Sequence, residues 1–149
     1  MSSWLLHLHL IAAISWIGGA IFMFILGMTL RDKAGQKEVY PRIGPIYGYF
    51  EVVALIILLL TGYMMIDQYG LLALLFSDET HEVLDVLRMK LYMVAVIIVL
   101  TVIHMWISLV TLHREKTVIQ TLFSRGSSMG IFLLNLWVLH YAMVLRDSL

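Results

Sequence analysis

The fold is decided by the first long apolar stretch, residues 4–30, which reads WLLHLHLIAAISWIGGAIFMFILGMTL. A helix needs about 20 predominantly apolar residues to span the hydrocarbon core of a bilayer, and this stretch exceeds that length. Further apolar runs cover residues 46–66, 89–112 and 129–145. The sequence therefore predicts an all-α integral membrane protein, an up-and-down bundle of four transmembrane helices that forms a single domain over residues 1–149.

The composition of the whole chain agrees with a membrane protein. Of its 149 residues, 61% are hydrophobic and 13% are charged, and the mean hydropathy is +0.92. Soluble domains have about 25% charged residues, so we expect a lipid bilayer around the bundle and no nucleic acid partner. The first run is too long for the apolar segment of a signal peptide and contains no typical cleavage site. We expect it to remain as the first helix.

The basic residues indicate how the bundle is oriented. Four of the ten Lys and Arg residues lie between the first and second runs, three lie between the third and fourth, and three lie on the opposite side. The positive-inside rule then places both termini outside a bacterial-type inner membrane. The connection over residues 67–87 is acidic and contains LLALLF, which predicts a short interfacial helix. At the inner end of the third helix, we expect His113 to cap backbone carbonyl groups.

Glycine and proline residues lie near the predicted starts of the second and fourth helices. Pro45 suits the first turn of the second helix, where its missing N–H costs no hydrogen bond. Gly44 with Gly48, and Gly126 with Gly130, form small-xxx-small steps that allow helices to approach closely. These steps are compatible with a homodimer, and equally with ordinary glycines at helix entries.

Ionisable residues inside the membrane are costly and are therefore candidates for function. The chain has no cysteine, so a metal or cofactor ligand must be His, Met, Lys, Tyr or a carboxylate. The ionisable candidates at membrane depth are His9, Glu51, Lys90, His104 and His140. For Glu51 we expect a pairing with Arg42, with a basic group of the second inner loop or with water, and a proton relay is an alternative.

His9 and His140 are predicted to lie at similar depths in the membrane. His7 and His9 lie nearly opposite each other on a helix, and His9 shares its face with small residues that leave room for a bulky neighbour. A rise of about 1.5 Å per residue places His9 and His140 within ~6 Å in depth. Bundle cofactor sites are built from facing side chains, so this match predicts that His9 and His140 ligate one haem b. A histidine bonded to a neighbouring helix is the alternative for His9.

The third helix carries one polar stripe. Lys90, Met93, Thr101, His104 and Ser108 share a face, which we expect to point into the bundle. Lys90 falls near the depth of His9 and is an alternative partner for it, or else a lysine that snorkels to the interface. His104 lies more than ~15 Å from His9 in depth, so it cannot share a cofactor with His9, and it is a candidate ligand for a second one.

Copper is the alternative to haem. Imidazole and thioether groups suit Cu(I), although methionine in an apolar chain also serves packing. The candidate copper ligands in the outer half of the bundle are His7, His9, Met89, Met93, His140 and Met143.

Residues 9–22, HLIAAISWIGGAIF, resemble the first-helix signature of the copper resistance protein D family and of the related HemJ-like protoporphyrinogen oxidases. In that signature, a histidine is followed seven residues later by Trp and then by Gly. The TG of LLLTGYMM, residues 58–65, and the lysine of RMKLYMVAVIIVLTVIH, residues 88–104, are also similar. In the HemJ-like branch the resemblance implies a haem b protein in which His9 and Lys90 are essential. HemJ-like proteins continue with a Leu-Pro-Arg segment where this chain reads GGAIFMFILGMTLRD, which favours the copper resistance protein D branch.

The candidate residues are compatible with three functions. The leading expectation is a cytochrome b-type membrane protein that takes part in electron transfer or a membrane redox reaction, with a partner protein or quinone that the residues do not identify. Whether the protein is itself an oxidoreductase stays open. The alternatives are copper transport or tolerance through the outer His and Met residues, and oxidation of protoporphyrinogen IX, with Lys90 and Arg88 as cationic groups for the propionates.

Overall fold

The computed structural model describes residues 3–77, 82–111, 114 and 117–148. The described chain forms helices and turns without strands, and four of its helices are long and apolar enough to span a membrane. The predicted fold class, an all-α four-helix membrane bundle, is therefore confirmed, and the protein is a multi-pass membrane protein. The capping role expected for His113 lies outside the described residues. In chain order the helices are α1 (Ser3–Thr29), α2 (Lys33–Gln68), α3 (Leu71–Leu75), α4 (Glu82–Val110) and α5 (Val118–Ser148).

The bundle consists of two antiparallel hairpins. One hairpin is α1 with α2 and the other is α4 with α5, and the two meet mainly where α1 contacts α5. The short helix α3 joins them by contacting both α2 and α4. We call the side with α3 and both termini the α3 end, and the side with the α1–α2 and α4–α5 connections the connection end.

The centre of the bundle is one layer of four buried side chains, here called the core layer. It consists of Trp16, Ala54, Ile97 and Ile131, so each spanning helix contributes one residue. Their exposed fractions are between 3% and 5%, and half-buried aliphatic side chains pack around them. Nearer the connection end, the rings of Phe24 and Phe132 stack with centroids 4.7 Å apart. The core layer and this stack hold the two hairpins together.

Helix α2 begins well before its apolar run. It starts at Lys33, and Pro41 and Pro45 lie inside it, so the prediction that Pro45 occupies the first turn was wrong. The carboxylate of Asp32 caps the helix by accepting the Gly35 N–H at 2.7 Å. Both prolines are exposed, so carbonyl groups that lose a helical partner can bond to water. With 36 residues, α2 is about 54 Å long and extends beyond the hydrocarbon core of a bilayer.

Helices α4 and α5 also begin before their apolar runs. Helix α5 starts eleven residues before residue 129 because Thr117 and Gln120 form a capping box. The Gln120 N–H donates to Thr117 Oγ1 at 3.2 Å, and the Thr117 N–H donates to Gln120 Oε1 at 3.1 Å. Helix α4 starts at Glu82, and its first turn carries two carboxylates, which stabilise a helix N-terminus.

The predicted short helix in the acidic connection is present as α3. Gly70 precedes it with a φ of 68°, a left-handed conformation that glycine adopts without steric cost. The Arg88 guanidinium on α4 donates to the carbonyl oxygens of Leu75 at 3.2 Å and Ser77 at 2.5 Å, and lies 3.5 Å from Asp85. Arg88 therefore ties the end of α3 to the first turns of α4.

One glycine of the small-xxx-small steps lies at a close helix contact. A Cβ built at Gly130 would lie 3.1 Å from Leu100 Cδ1 of α4, whereas Cβ atoms at Gly44, Gly48 and Gly126 would have nothing within 4 Å. Gly130 thus permits the close approach of α5 to α4. A homodimer through the other glycines stays a prediction.

Candidate functional site

His9 is held by a threonine on the neighbouring helix. Its Nδ1 atom lies 2.7 Å from Oγ1 of Thr61 on α2, and Thr61 is 3% exposed. The Thr61 hydroxyl donates its one hydrogen to the Ile57 carbonyl oxygen at 2.6 Å, so Oγ1 must accept a hydrogen bond from His9 Nδ1–H. In the neutral imidazole, the lone pair then lies on Nε2. The Leu58 backbone on α2 also hydrogen-bonds to the His9 imidazole.

Gly62 makes room for the imidazole beside Thr61. A Cβ built at Gly62 would lie 3.4 Å from His9 Cε1, which is ordinary van der Waals contact, so a longer side chain would displace the ring. The Thr61–Gly62 pair therefore supplies both the acceptor for Nδ1–H and the space for the ring. It is the same TG pair that carried the helix-2 resemblance.

Lys90 brings a third helix to this site. It is half-buried on α4, and its ammonium group interacts electrostatically with the His9 imidazole. The site, which we call the His9 site, thus combines His9 from α1, Thr61 and Gly62 from α2 and Lys90 from α4. Lys90 therefore lies within electrostatic range of His9, and its role beside His9 stays a prediction.

His140 does not join the His9 site. It is exposed on α5, where its ring lies 6.5 Å from that of Trp137 and 5.7 Å from that of Tyr141, both on the same helix. The buried side of α5 passes through Asn135, and five residues at 100° each turn His140 about 140° away from it. The exposed position of His140 gives no support to the predicted two-histidine clamp with His9, which stays a prediction.

His104 belongs to a separate polar cluster nearer the connection end. Its Nδ1 atom lies 3.2 Å from Ser127 Oγ and 3.2 Å from the Ser124 carbonyl oxygen, both on α5. The two serines are buried. His104 follows the core-layer residue Ile97 by two turns, away from His9, so the structure keeps the two histidines apart, as predicted.

Most of the candidate copper ligands lie at the surface of the bundle. Among the described residues, no group of three or more His, Asp or Glu side chains is placed to hold a metal ion. Met93 is half-buried. Four of the others are exposed, namely His7, Met89, His140 and Met143.

Glu51 has a partner that the sequence reasoning missed. The Tyr47 hydroxyl donates to Glu51 Oε1 at 3.3 Å, whereas Arg42 lies 3.9 Å from Glu38. The expected pairing of Glu51 with Arg42 was wrong, because nine residues of helix separate the two by about 13 Å. The four-residue spacing of Tyr47 and Glu51 on one helix was the available signal.

The second feature missed is a bond at the core layer. Trp16 Nε1–H donates to Asn135 Oδ1 at 3.1 Å, and both residues are buried. The signal was an asparagine and a tryptophan in the middle of two apolar runs, because such groups need a partner in a membrane. This bond connects the two hairpins where α1 contacts α5.

Comparisons with protein-family models, with curated proteins and with solved structures give no match. The chemistry of the His9 site therefore carries the functional conclusion. An imidazole whose Nδ1 proton is held by a neighbour presents Nε2 as a ligand for a metal ion, and ligating histidines are oriented in this way. The same nitrogen can also accept a proton.

Proposed function

We propose that the protein is a membrane redox protein that binds haem b through His9 and takes part in electron transfer. The observation that supports this proposal is the hydrogen bond from His9 Nδ1–H to Thr61 Oγ1 at 2.7 Å. It leaves Nε2 as the ligand atom and fixes the plane of the ring, as the partners of ligating histidines do. Haem would supply one-electron chemistry at this position.

The residues of this chain supply one axial ligand for haem iron and not a second. His9 satisfies the needs of one axial ligand, whereas His140, on the outer face of α5, does not supply a second within the same chain. Lys90 interacts electrostatically with His9 and would provide positive charge for a carboxylate of the cofactor. We therefore assign His9 as the ligand, Thr61 as its orienting residue and Lys90 as the charged neighbour.

The test is haem retention by variants in matched positions. The protein and its His9→Ala, His7→Ala and His140→Ala variants are purified from haem-replete cells, and the haem content per chain is measured by the pyridine haemochrome spectrum. We expect His9→Ala to lose haem and the other two variants to retain it. Absence of a b-type band in the unmodified protein, or full haem in His9→Ala, would overturn the proposal.

The electrostatic interaction of His9 with Lys90 favours one further candidate function, the oxidation of protoporphyrinogen IX. The resemblance to HemJ-like proteins implies that these two residues are essential, and the Lys90 charge on α4 acts on His9 on α1. Arg88, the other cation considered for the propionates, donates to carbonyl oxygens at the end of α3 and would have to leave them to bind substrate.

A complementation experiment distinguishes electron transfer from protoporphyrinogen oxidation. A strain that lacks its own protoporphyrinogen oxidase is supplied with this chain or with Lys90→Met. Rescue by the unmodified chain and its loss in Lys90→Met would support the oxidase. No rescue by a chain that still binds haem would leave electron transfer as the function.

A further inference from the structure

Two buried polar atoms in the middle of the bundle have no hydrogen-bond partner among the described residues. They are Thr101 Oγ1 and Asn135 Nδ2, in side chains that are 6% and 4% exposed. A hydroxyl or amide group buried without a partner is costly, and lipid cannot supply one. These two atoms therefore need a hydrogen-bond partner other than a side chain of the described bundle.

The register of α4 and α5 brings the two groups toward each other. The contact at Gly130 and Leu100 sets the antiparallel alignment, which places Asn135 about 9 Å nearer the α3 end than Thr101. Side chains lean toward the N-terminus of their own helix. Since α4 and α5 run in opposite directions, Thr101 leans toward the level of Asn135 and Asn135 leans toward the level of Thr101.

We propose that water binds between Thr101 and Asn135 in the middle of the membrane. Hydrogen bonds of about 2.8 Å through one or two water molecules span about 5.6–8.4 Å, which suits side chains that start about 9 Å apart along the bundle and lean toward each other. The water accepts from the Asn135 amide N–H and exchanges a hydrogen bond with the Thr101 hydroxyl. Asn135 Nδ2 is a hydrogen-bond donor, so a bound cation is excluded. No cationic side chain of the described residues bonds to Thr101 or Asn135, which disfavours a bound anion.

The site continues a polar cluster that starts nearer the connection end. His104 follows Thr101 by three residues, so the two side chains lie on the same face of α4, and His104 contacts Ser127 and the Ser124 carbonyl. Water between Thr101 and Asn135 extends these polar groups as far as the Trp16–Asn135 bond. The apolar side chains of the core layer border it there.

The sequence allows a direct test at one atom. Asn135 is the only asparagine of the chain, so protein labelled with ¹⁵N-asparagine has one side-chain amide signal. Solid-state NMR of the protein in lipid bilayers then measures the transfer of magnetisation from water protons to Asn135 Nδ2. We expect efficient transfer, reduced about threefold or more by Thr101→Val because the water loses one of its few partners.

Thr111→Val is the matched control. Thr111 is also a buried threonine, but its hydroxyl donates to the Ile107 carbonyl oxygen at 2.6 Å. This variant should leave the transfer unchanged. Absence of transfer in the unmodified protein, or equal transfer in Thr101→Val, would overturn the proposal. The unmodified protein alone decides the first of these outcomes, whatever the folding of the variants.

Discussion

The indole Nε1–H of Trp16 donates a hydrogen bond of 3.1 Å to Asn135 Oδ1, and this bond joins residues 119 positions apart in the chain. It connects the first and last helices at the core layer, where the two hairpins meet. A buried acceptor that loses its donor costs more than the net contribution of the bond itself. The bond should therefore contribute measurably to the association of the hairpins.

Replacing Trp16 with Phe should lower the free energy of unfolding by about 1–3 kcal/mol, because Asn135 Oδ1 loses its donor and the indole volume is lost. Unfolding by SDS in mixed micelles measures the change. Trp106→Phe, at a site 70% exposed on α4, is the control and should change stability by less than about 0.5 kcal/mol. The effects of Trp16→Phe and Asn135→Leu should not add in the double variant, and simple additivity would contradict a direct interaction.

Adjacent glycines on α1 should respond in opposite ways to alanine. A Cβ at Gly19 would lie 2.9 Å from Tyr47 Cε2, whereas one at Gly18 would meet nothing within 4 Å. Gly19→Ala should destabilise the protein by roughly 1–3 kcal/mol through overpacking, because Tyr47 is also bonded to Glu51. Gly18→Ala should be neutral or stabilising by up to about 1 kcal/mol. The same SDS titration compares the two, and equal stabilities would show that Tyr47 moves freely.

The tautomer of His9 should depend on Thr61. At about pH 8, where imidazole is neutral, ¹⁵N-histidine NMR should find the His9 proton on Nδ1, with the His9 signal identified by its loss in His9→Phe. Thr61→Val removes the acceptor and should produce a mixture of both tautomers, whereas Thr61→Ser should keep the Nδ1–H form. A proton on Nε2 in the unmodified protein would reverse the assigned direction of the bond.

The helix α3 should loosen when Arg88 loses its planar guanidinium. Arg88→Lys keeps the charge but cannot donate to the Leu75 and Ser77 carbonyls with the same fork of N–H groups. We expect hydrogen–deuterium exchange of residues 71–77 to accelerate about tenfold, as for the loss of roughly 1.4 kcal/mol of local stability. Arg146→Lys, an exposed residue of α5 that contacts Asp147, should leave this exchange unchanged. Equal exchange in both variants would show that Arg88 does not hold α3.

The sequence predicted the number of spanning helices because lipid requires long apolar runs. It underestimated helix length, because the ends outside the membrane are set by caps and not by hydropathy. Asp32 and the Thr117–Gln120 box start α2 and α5 many residues before their apolar runs. Both signals were readable in the sequence, so this part of the error came from interpretation and not from missing information.

The sequence by itself determined which residue types lie in the membrane and which of them share a face of their own helix. A period of 3.6 residues and a rise of 1.5 Å suffice for both, and they placed His9 and Lys90 at similar depth. Only the tertiary structure decided that Thr61 meets His9 and that His140 lies on the outer face of α5. The reason is that packing between helices sets how each helix is rotated relative to its neighbours, here through the core layer and the Trp16–Asn135 bond. The periodicity of a single helix carries no information about this rotation.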